Sequence, residues 1–462
     1  MRRLIMPAAV AVALVLALVG AAAVPVQQFA AVAVPDDDRA REAVACPVVP
    51  GSDSATTVAA GSPQAELASA ALATPERTSP ISGSLAVLPA TGDPLIVSAP
   101  RQDELSATSR VAVGTGEDRG LSMVSCGRPL TSAWFAGVRS GPGAVAEVEL
   151  INSDAQDASV DLTVYGPEGR VTAPGSRGVI VDAHSRRVLP LGPVFSLEQP
   201  VSIRLATSSG RVSAVVRQRI RDDAVPSGAD WLPAAAEPST SVVVPGVPAG
   251  GGGRELVVVN PGDRTATVTL QVLGADGPTA VPGVETIDLP PQTSRSVPLD
   301  GALAGSPVGL LLTSEQPVAA AVLSGNGGAA GEREFSAQVA TTPLAGPGVL
   351  ALSAGRAVTP ALMLSNAGQQ PARARITVTA LDGTVLRQRS VEMAALAQAR
   401  VPLPRLTNAL VRVEPETPGV LYASVAVRAR LNDLVGTASL AMVSGAAAAD
   451  LPEIRHDPRI GG

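Results

Sequence analysis

Three times along the chain an apolar run ends in asparagine, and a glycine follows 17 residues later. The asparagines are Asn152, Asn260 and Asn366, and the glycines are Gly169, Gly277 and Gly383 (169 − 152, 277 − 260 and 383 − 366 all give 17). The asparagines lie 108 and 106 residues apart (260 − 152 and 366 − 260). A constant internal spacing inside so regular a period marks tandem domains, because each copy repeats one supersecondary unit. It constrains the architecture and leaves any reaction open.

The residues after each asparagine alternate: Val160, Leu162 and Val164; Val268, Leu270 and Val272; Ile376, Val378 and Ala380. Period-two alternation predicts a strand with one buried face. A proline-bearing edge comes next in every copy, at Pro190, Pro298 and Pro402, where a missing N–H does no harm. Two further apolar runs close each copy as a hairpin. About seven short strands per copy is the pattern of an Ig-like or fibronectin-like sandwich. The fold predicted is therefore all-β, with sandwiches over 130–232, 233–340 and 341–446. Only 2% of residues are aromatic, so the cores are expected to be Val, Leu, Ile and Ala, with 45 Gly and 41 Pro supplying turns. The stretch 391–400 holds strong helix formers, but its counterparts in the other copies could not be helical for long. Three aligned copies outweigh a local propensity of a few tenths of a kcal/mol per residue, and strand plus turn is expected.

The asparagines read as structural. Asparagine at a strand end bonds its own backbone two residues on and tolerates left-handed geometry. The glycine then supplies positive φ in the next hairpin, and Asp276-Gly277 and Asp382-Gly383 are strong hairpin dipeptides.

The flanks differ. Arg2 and Arg3 precede an apolar run from Leu4 to Val24, 21 residues long and sufficient for a bilayer-spanning helix. Residues 1–31 are read as a signal anchor, with secretion following if the Ala21–Ala23 stretch is cleaved instead. Residues 32–80 look like a low-complexity, partly disordered stalk, 81–129 like short strands leading into the first sandwich, and 447–462 like a tail. Cys46 and Cys126 fit export, where an even cysteine count suggests one disulfide. Both lie outside the three repeats, so the bond is not expected to pin one sheet to the other.

Several chemistries are disfavoured. A net charge of −6 gives no reason to expect nucleic acid. Every basic side chain is arginine, which removes Schiff-base, P-loop and isopeptide lysines. The two histidines, His184 and His456, are too far apart in sequence for a metal motif, and Asp182, His184 and Ser185 lack the rest of a triad. The glycines at 250–253 precede a strand without the context of a phosphate cradle. Neither a catalytic residue, a metal site nor a cofactor is expected. Trp134, Trp231 and Phe335 stand at the starts or junctions of the copies and read as packing residues, with sugar stacking as the alternative.

The order Cys126-Gly-Arg-Pro129, Trp134-Phe135-Ala-Gly137, Leu150-Ile-Asn152, Asp230-Trp231-Leu-Pro233, Val244-Pro-Gly246 and Leu256 to Asn260-Pro-Gly262 resembles a family of exported or membrane-anchored actinobacterial proteins of unknown function with Ig-like repeats. The likeness spans roughly residues 40–445, although Asn152-Ser153 and Asn366-Ala367 depart from Asn-Pro. It implies location and fold and supplies no catalytic residue. The expected function is a non-enzymatic cell-envelope protein, an anchored extracellular rod for spacing or for contact with other envelope proteins. The alternative is a module that binds envelope glycan or polymer.

Overall fold

A computed structural model describes residues 41–444 except 52–53, 101–103, 223–224, 249–252, 300–302, 304–306, 328–332, 354–357, 405–407 and 432–433. The expected anchor at 1–31 and the tail at 447–462 lie outside the described residues. Among the described residues no helix is long and apolar enough to cross a membrane, and every regular element is a strand.

The strands form four two-sheet sandwiches. The N-terminal one contains β1 (Arg41–Cys46), β2 (Ala55–Ala59), β3 (Ala68–Ala71), β4 (Ser79–Pro80), β5 (Leu85–Pro89), β6 (Leu95–Pro100), β7 (Ser106–Val113) and β8 (Gly120–Ser125). The second contains β9 (Ser132–Ser140), β10 (Ala144–Asn152), β11 (Ala158–Gly166), β12 (Gly169–Val171), β13 (Val179–Val181), β14 (Ser185–Pro190), β15 (Leu197–Ser209), β16 (Ser213–Asp222) and β17 (Val225–Leu232). The third runs through β18 (Ser239–Val247), β19 (Arg254–Asn260), β20 (Ala266–Gly274), β21 (Gly277–Ala280), β22 (Thr286–Leu289), β23 (Thr293–Pro298), β24 (Val308–Gly327) and β25 (Arg333–Val339). The fourth comprises β26 (Gly348–Ser353), β27 (Val358–Asn366), β28 (Ala372–Ala380), β29 (Val385–Met393), β30 (Ala397–Pro402), β31 (Asn408–Pro415), β32 (Leu421–Leu431) and β33 (Leu434–Met442).

All four share one topology. The leading sheets, which hold each sandwich's first strand, are ordered β1-β6-β3-β4, β9-β15-β11-β12, β18-β24-β20-β21 and β26-β31-β28-β29. The trailing sheets are ordered β5-β2-β7-β8, β14-β10-β16-β17, β23-β19-β24-β25 and β30-β27-β32-β33. In the third sandwich the long β24 serves both sheets. Each core lies between its two sheets: Val44, Val58, Leu67 and Val97 in the N-terminal sandwich, Phe135, Val148, Leu162 and Val216 in the second, Leu256, Val268, Leu312 and Val322 in the third, Leu362, Ile376, Val411 and Val425 in the fourth. The segment 391–400 is strand, turn and strand, as the alignment of copies requires.

Two expectations are corrected here. From residue 41 the expected stalk is folded, and with residues 81–125 it completes a fourth sandwich. Its strands escape notice because they are short and rich in Ala, Ser and Thr, which alternate weakly. At the register position that pairs Asn152 with Ser185, Asn260 with Thr293 and Asn366 with Ala397, this sandwich has Ala59 opposite Leu85. The disulfide is also reassigned: Cys46 ends β1 in the leading sheet and Cys126 follows β8 in the trailing sheet, so their bond joins the two sheets of this sandwich.

The expected rod is likewise corrected, because the sandwiches close on themselves. Each leading sheet covers the trailing sheet of the next sandwich. Ala45, Leu72 and Ile96 meet Ile151, Trp134 and Tyr165 meet Val259 and Ala319, and Val243, Leu273 and Leu311 meet Tyr422. Val349, Ala351 and Leu410 of the fourth sandwich then meet Ala59 and Leu85 of the first. One head-to-tail interface used four times, with closure, makes a ring. The fourth interface has no linker across it. Its polar contacts include Arg412 to Glu104 at 2.6 Å, Thr57 Oγ1 to Asn408 Oδ1 at 3.0 Å and the Ala351 N–H to Ser106 Oγ at 3.0 Å.

Candidate functional site at the ring axis

Ring closure brings the last strands of the four sandwiches together: β8 touches β17 and β33, and β25 touches β17 and β33. Small residues permit this approach. A Cβ on Gly228, whose φ is +118°, would lie 2.7 Å from the Phe335 nitrogen, and one on Gly436 would lie 2.7 Å from Leu121 Cβ. At the register position of Gly228 and Gly436 the third sandwich instead carries Glu334.

Glu334 and Asp230 stitch the axis. Glu334 Oε1 accepts from the Leu121 N–H at 2.8 Å and the Thr437 N–H at 2.9 Å, so one carboxyl of the third sandwich holds strands of the first and fourth. Asp230 of the second sandwich lies beside the backbone N–H groups of Trp231, Met123 and Ala337, the last two in the first and third sandwiches, while its Oδ1 is buried with no hydrogen-bond partner. Burial raises the Glu334 pKa to about 7, against the lowering effect of the two N–H bonds and the charge of Arg119. Burial also pushes Asp230 well above the usual carboxylate range, and the neighbouring Glu334 adds to the rise. Both carboxyls face backbone donors of neighbouring sandwiches, and Glu334 joins their strands through Oε1.

Beside these strands lies a cavity of about 370 Å³ to which all four sandwiches contribute wall, among them Met123, Ile151, Val215, Ala235, Thr341 and Ala441. A second cavity of about 50 Å³ shares Cys126 and Ala441 as wall and is bounded by Val349 and Leu350, between the first and fourth sandwiches; it is called the annex below. Exposed Leu130 and Val443 also line the main cavity.

The asparagines are fully buried. Asn260 Nδ2 donates to the carbonyls of Arg264, Leu289 and Pro290 at 2.7, 3.0 and 3.2 Å, and its Oδ1 accepts from the Gly262 N–H at 3.0 Å. Asn152 makes the matching bonds to Gln156, Val181, Asp182 and Asp154, and Asn366 bonds Gln370, Ala394 and Gly368. Each asparagine thus closes its own turn and ties it to the loop entering β14, β23 or β30. The left-handed residue is not the asparagine but the one just before its register partner: His184, Gln292 and Leu396 have φ of 50°, 57° and 51°. His184 accordingly sits in a turn. Gly169, Gly277 and Gly383 have φ of 123°, 121° and 83°, with open space where a Cβ would stand, so backbone conformation alone demands glycine there.

The junction aromatics are buried in packing. Trp134 stacks near Tyr165 at 5.6 Å between the second and third sandwiches, donates Nε1–H to Glu237 at 2.9 Å, and has Arg204 over its ring. Trp231 meets Val49, Val111 and Val124 of the N-terminal sandwich, and Phe335 joins the core of the second. All seven aromatic residues among the described ones are buried, which leaves none of them as a platform for a sugar. Among the described residues no three His, Cys, Asp or Glu side chains gather as metal ligands.

A family model of unknown function, DUF5719, matches residues 90–404. The chain belongs to that family. The matched stretch starts inside the N-terminal sandwich and stops before β31. No curated protein matches. Among solved structures, Thermotoga maritima 1070 is 20% identical over 23% of this chain and 95% of its own, with a TM-score of 0.20. An α-L-rhamnosidase of Streptomyces avermitilis, solved with L-rhamnose, is 11% identical over 86% of this chain, with a TM-score of 0.14. This chain spans about half of that enzyme's length, 55%. Scores so low carry no argument for either likeness.

Proposed function

We propose that this DUF5719 member is a non-enzymatic protein of the cell envelope, held outside the membrane by its N-terminal segment, which acts by binding another envelope protein. We read its sandwiches as Ig-like and its origin as actinobacterial, in keeping with the motifs it shares with exported proteins. The disulfide supports an oxidising compartment outside the cytoplasm. Closure of the ring removes the reason to assign a spacing role, and burial of the aromatics removes the reason to prefer glycan.

The observation that carries the reading is β29. In the second and third sandwiches the corresponding edge is broken into two short strands, β12 with β13 and β21 with β22. Breaks of that kind protect an edge from pairing. In the fourth sandwich the edge is one nine-residue strand, exposed along its first six residues, with Val385, Leu386 and nearby Leu381 among the most exposed apolar side chains. Such an edge accepts an added strand from a partner. The exposed Arg387 and Arg389 favour an acidic partner segment.

Affinity capture from solubilised envelope tests this, comparing the full chain with a Val385→Asp/Leu386→Asp variant. An envelope protein retained by the native chain and lost at least about tenfold from the variant is the expected result, tenfold being about 1.4 kcal/mol of contact. Equal retention by the variant, or recovery of glycan alone, would overturn the reading.

A further inference from the structure

The axial cavity is apolar and built from all four sandwiches, so it exists only in the closed ring. Its volume of about 370 Å³ falls within the range of small-molecule sites. At roughly 30 Å³ per water-sized group, it and the annex hold about a dozen non-hydrogen atoms. The walls contain Ala, Val, Leu and Ile and no aromatic ring, which suits a flexible aliphatic chain rather than a planar or sugar ligand.

Two hydroxyls on the walls lack partners. Thr341 Oγ1 and Ser125 Oγ are buried without a hydrogen bond, although Thr341 is only 6% exposed and its N–H is already bonded to Val243 O. A buried hydroxyl left unpaired is costly, and such groups in native proteins call for an explanation. Arg128, held by Glu42, borders the same space and the annex. An aliphatic tail with one polar head would fill the apolar volume, and rotation about χ1 would bring the two hydroxyls, whose oxygens are closed off from the cavity, to that head.

We infer that the axial cavity binds a medium-length acyl chain through its hydrocarbon, with Thr341 and Ser125 turning about χ1 to bond the acyl oxygens. The source is either a free fatty acid or the acyl chain of a membrane lipid, and both present the same chemistry to the wall.

Calorimetric titration of the full-length protein with decanoate below its micelle concentration tests this, with butyrate as the short-chain control. Saturable one-to-one binding of decanoate, with butyrate at least about tenfold weaker, is expected from the extra buried methylenes. Ala441→Leu projects into the cavity and annex and should weaken decanoate at least about tenfold while leaving the unliganded protein folded. Thr341→Val keeps the shape, removes the hydroxyl and should weaken it about three- to tenfold. In a second arm, protein is incubated with phosphatidylglycerol vesicles and freed of them. Lipid recovered one-to-one by native mass spectrometry, and lost in Ala441→Leu, assigns the lipid source; decanoate binding without lipid assigns the free acid. No saturable binding in either arm, or binding that Ala441→Leu leaves unchanged, would overturn the inference.

Discussion

The N-terminal sandwich and the three that follow share a topology and are secured by different means. The later three each have a buried asparagine that bonds its own turn and the loop across from it. The first has alanine at that position, strands of two to six residues along its leading sheet, and a small core, with the Cys46–Cys126 bond between its sheets. A small core rarely stabilises a domain unaided, and a covalent tie restricts the unfolded chain instead. The comparison teaches that the asparagine belongs to the device that secures the turn and is not required by the fold.

The largest loss should come from Asn260→Ala. The substitution strips partners from three carbonyls and one N–H around a fully buried site, at about 1–3 kcal/mol for each group left bare, so a destabilisation on the order of 5 kcal/mol is expected. Urea unfolding of the full chain would measure it. A loss under about 1 kcal/mol would mean that water replaces the side chain and that the asparagine is not the fastener.

Next in size is the disulfide. Its removal by Cys46→Ser with Cys126→Ser should cost about 4 kcal/mol, from the closure entropy of so long a loop. Hydrogen exchange should show the loss first in β1, β2 and β7, with the third sandwich unaffected. Uniform loss through the ring would show instead that the N-terminal sandwich has no stability separable from its neighbours.

The contrast between these sandwiches also explains what could be read in advance. Three copies were visible because Asn152, Asn260 and Asn366 punctuate them and because β11, β20 and β28 alternate, each with one buried face. The N-terminal copy carries neither signal. Ring closure did leave a trace, in the apolar runs before the asparagines. In β19 Leu256 and Val258 point into their own core while Val257 and Val259 meet the second sandwich, so five consecutive residues are buried. A strand covered on both faces reads as a continuous apolar run. The run was legible; its partner was not, because contacts between sandwiches join residues tens to hundreds of positions apart. The axial carboxyls were missed for a related reason. Asp230 and Glu334 stand in sequence as ordinary acids, and only convergence of four strands buries them.

Those carboxyls tie the N-terminal sandwich to the rest, which yields a pH test. The folded pKa of Glu334, about 7, lies above its unfolded value near 4.5, so the folded protein binds the extra proton. Stability from this group is therefore full below the unfolded value and is lost as pH rises through the folded one, by at most roughly 3 kcal/mol. Asp230 is shifted in the same direction by its burial and adds to the trend. Urea midpoints should fall between pH 4.5 and 7, and Glu334→Gln, which can still accept both N–H bonds, should flatten the slope. A midpoint that rises over that interval in the native chain would contradict the placement of these acids.

The smallest expected effect lies in the hairpins that the N-terminal sandwich lacks. Gly277 has φ +121° and nothing within 4 Å of a built Cβ, so Gly277→Ala meets no clash and pays only for the backbone conformation, about 1–2 kcal/mol. Because β21 and β22 at this edge are short, exchange should quicken there and leave β24 and the axis unchanged. The same substitution at Gly383 precedes the unbroken β29 and should cost a similar amount, while loosening the proposed docking edge. If Gly383→Ala weakens envelope capture and Gly277→Ala does not, the difference between the edges is functional; equal effects on capture would reduce both glycines to the folding role that their shared spacing already implies.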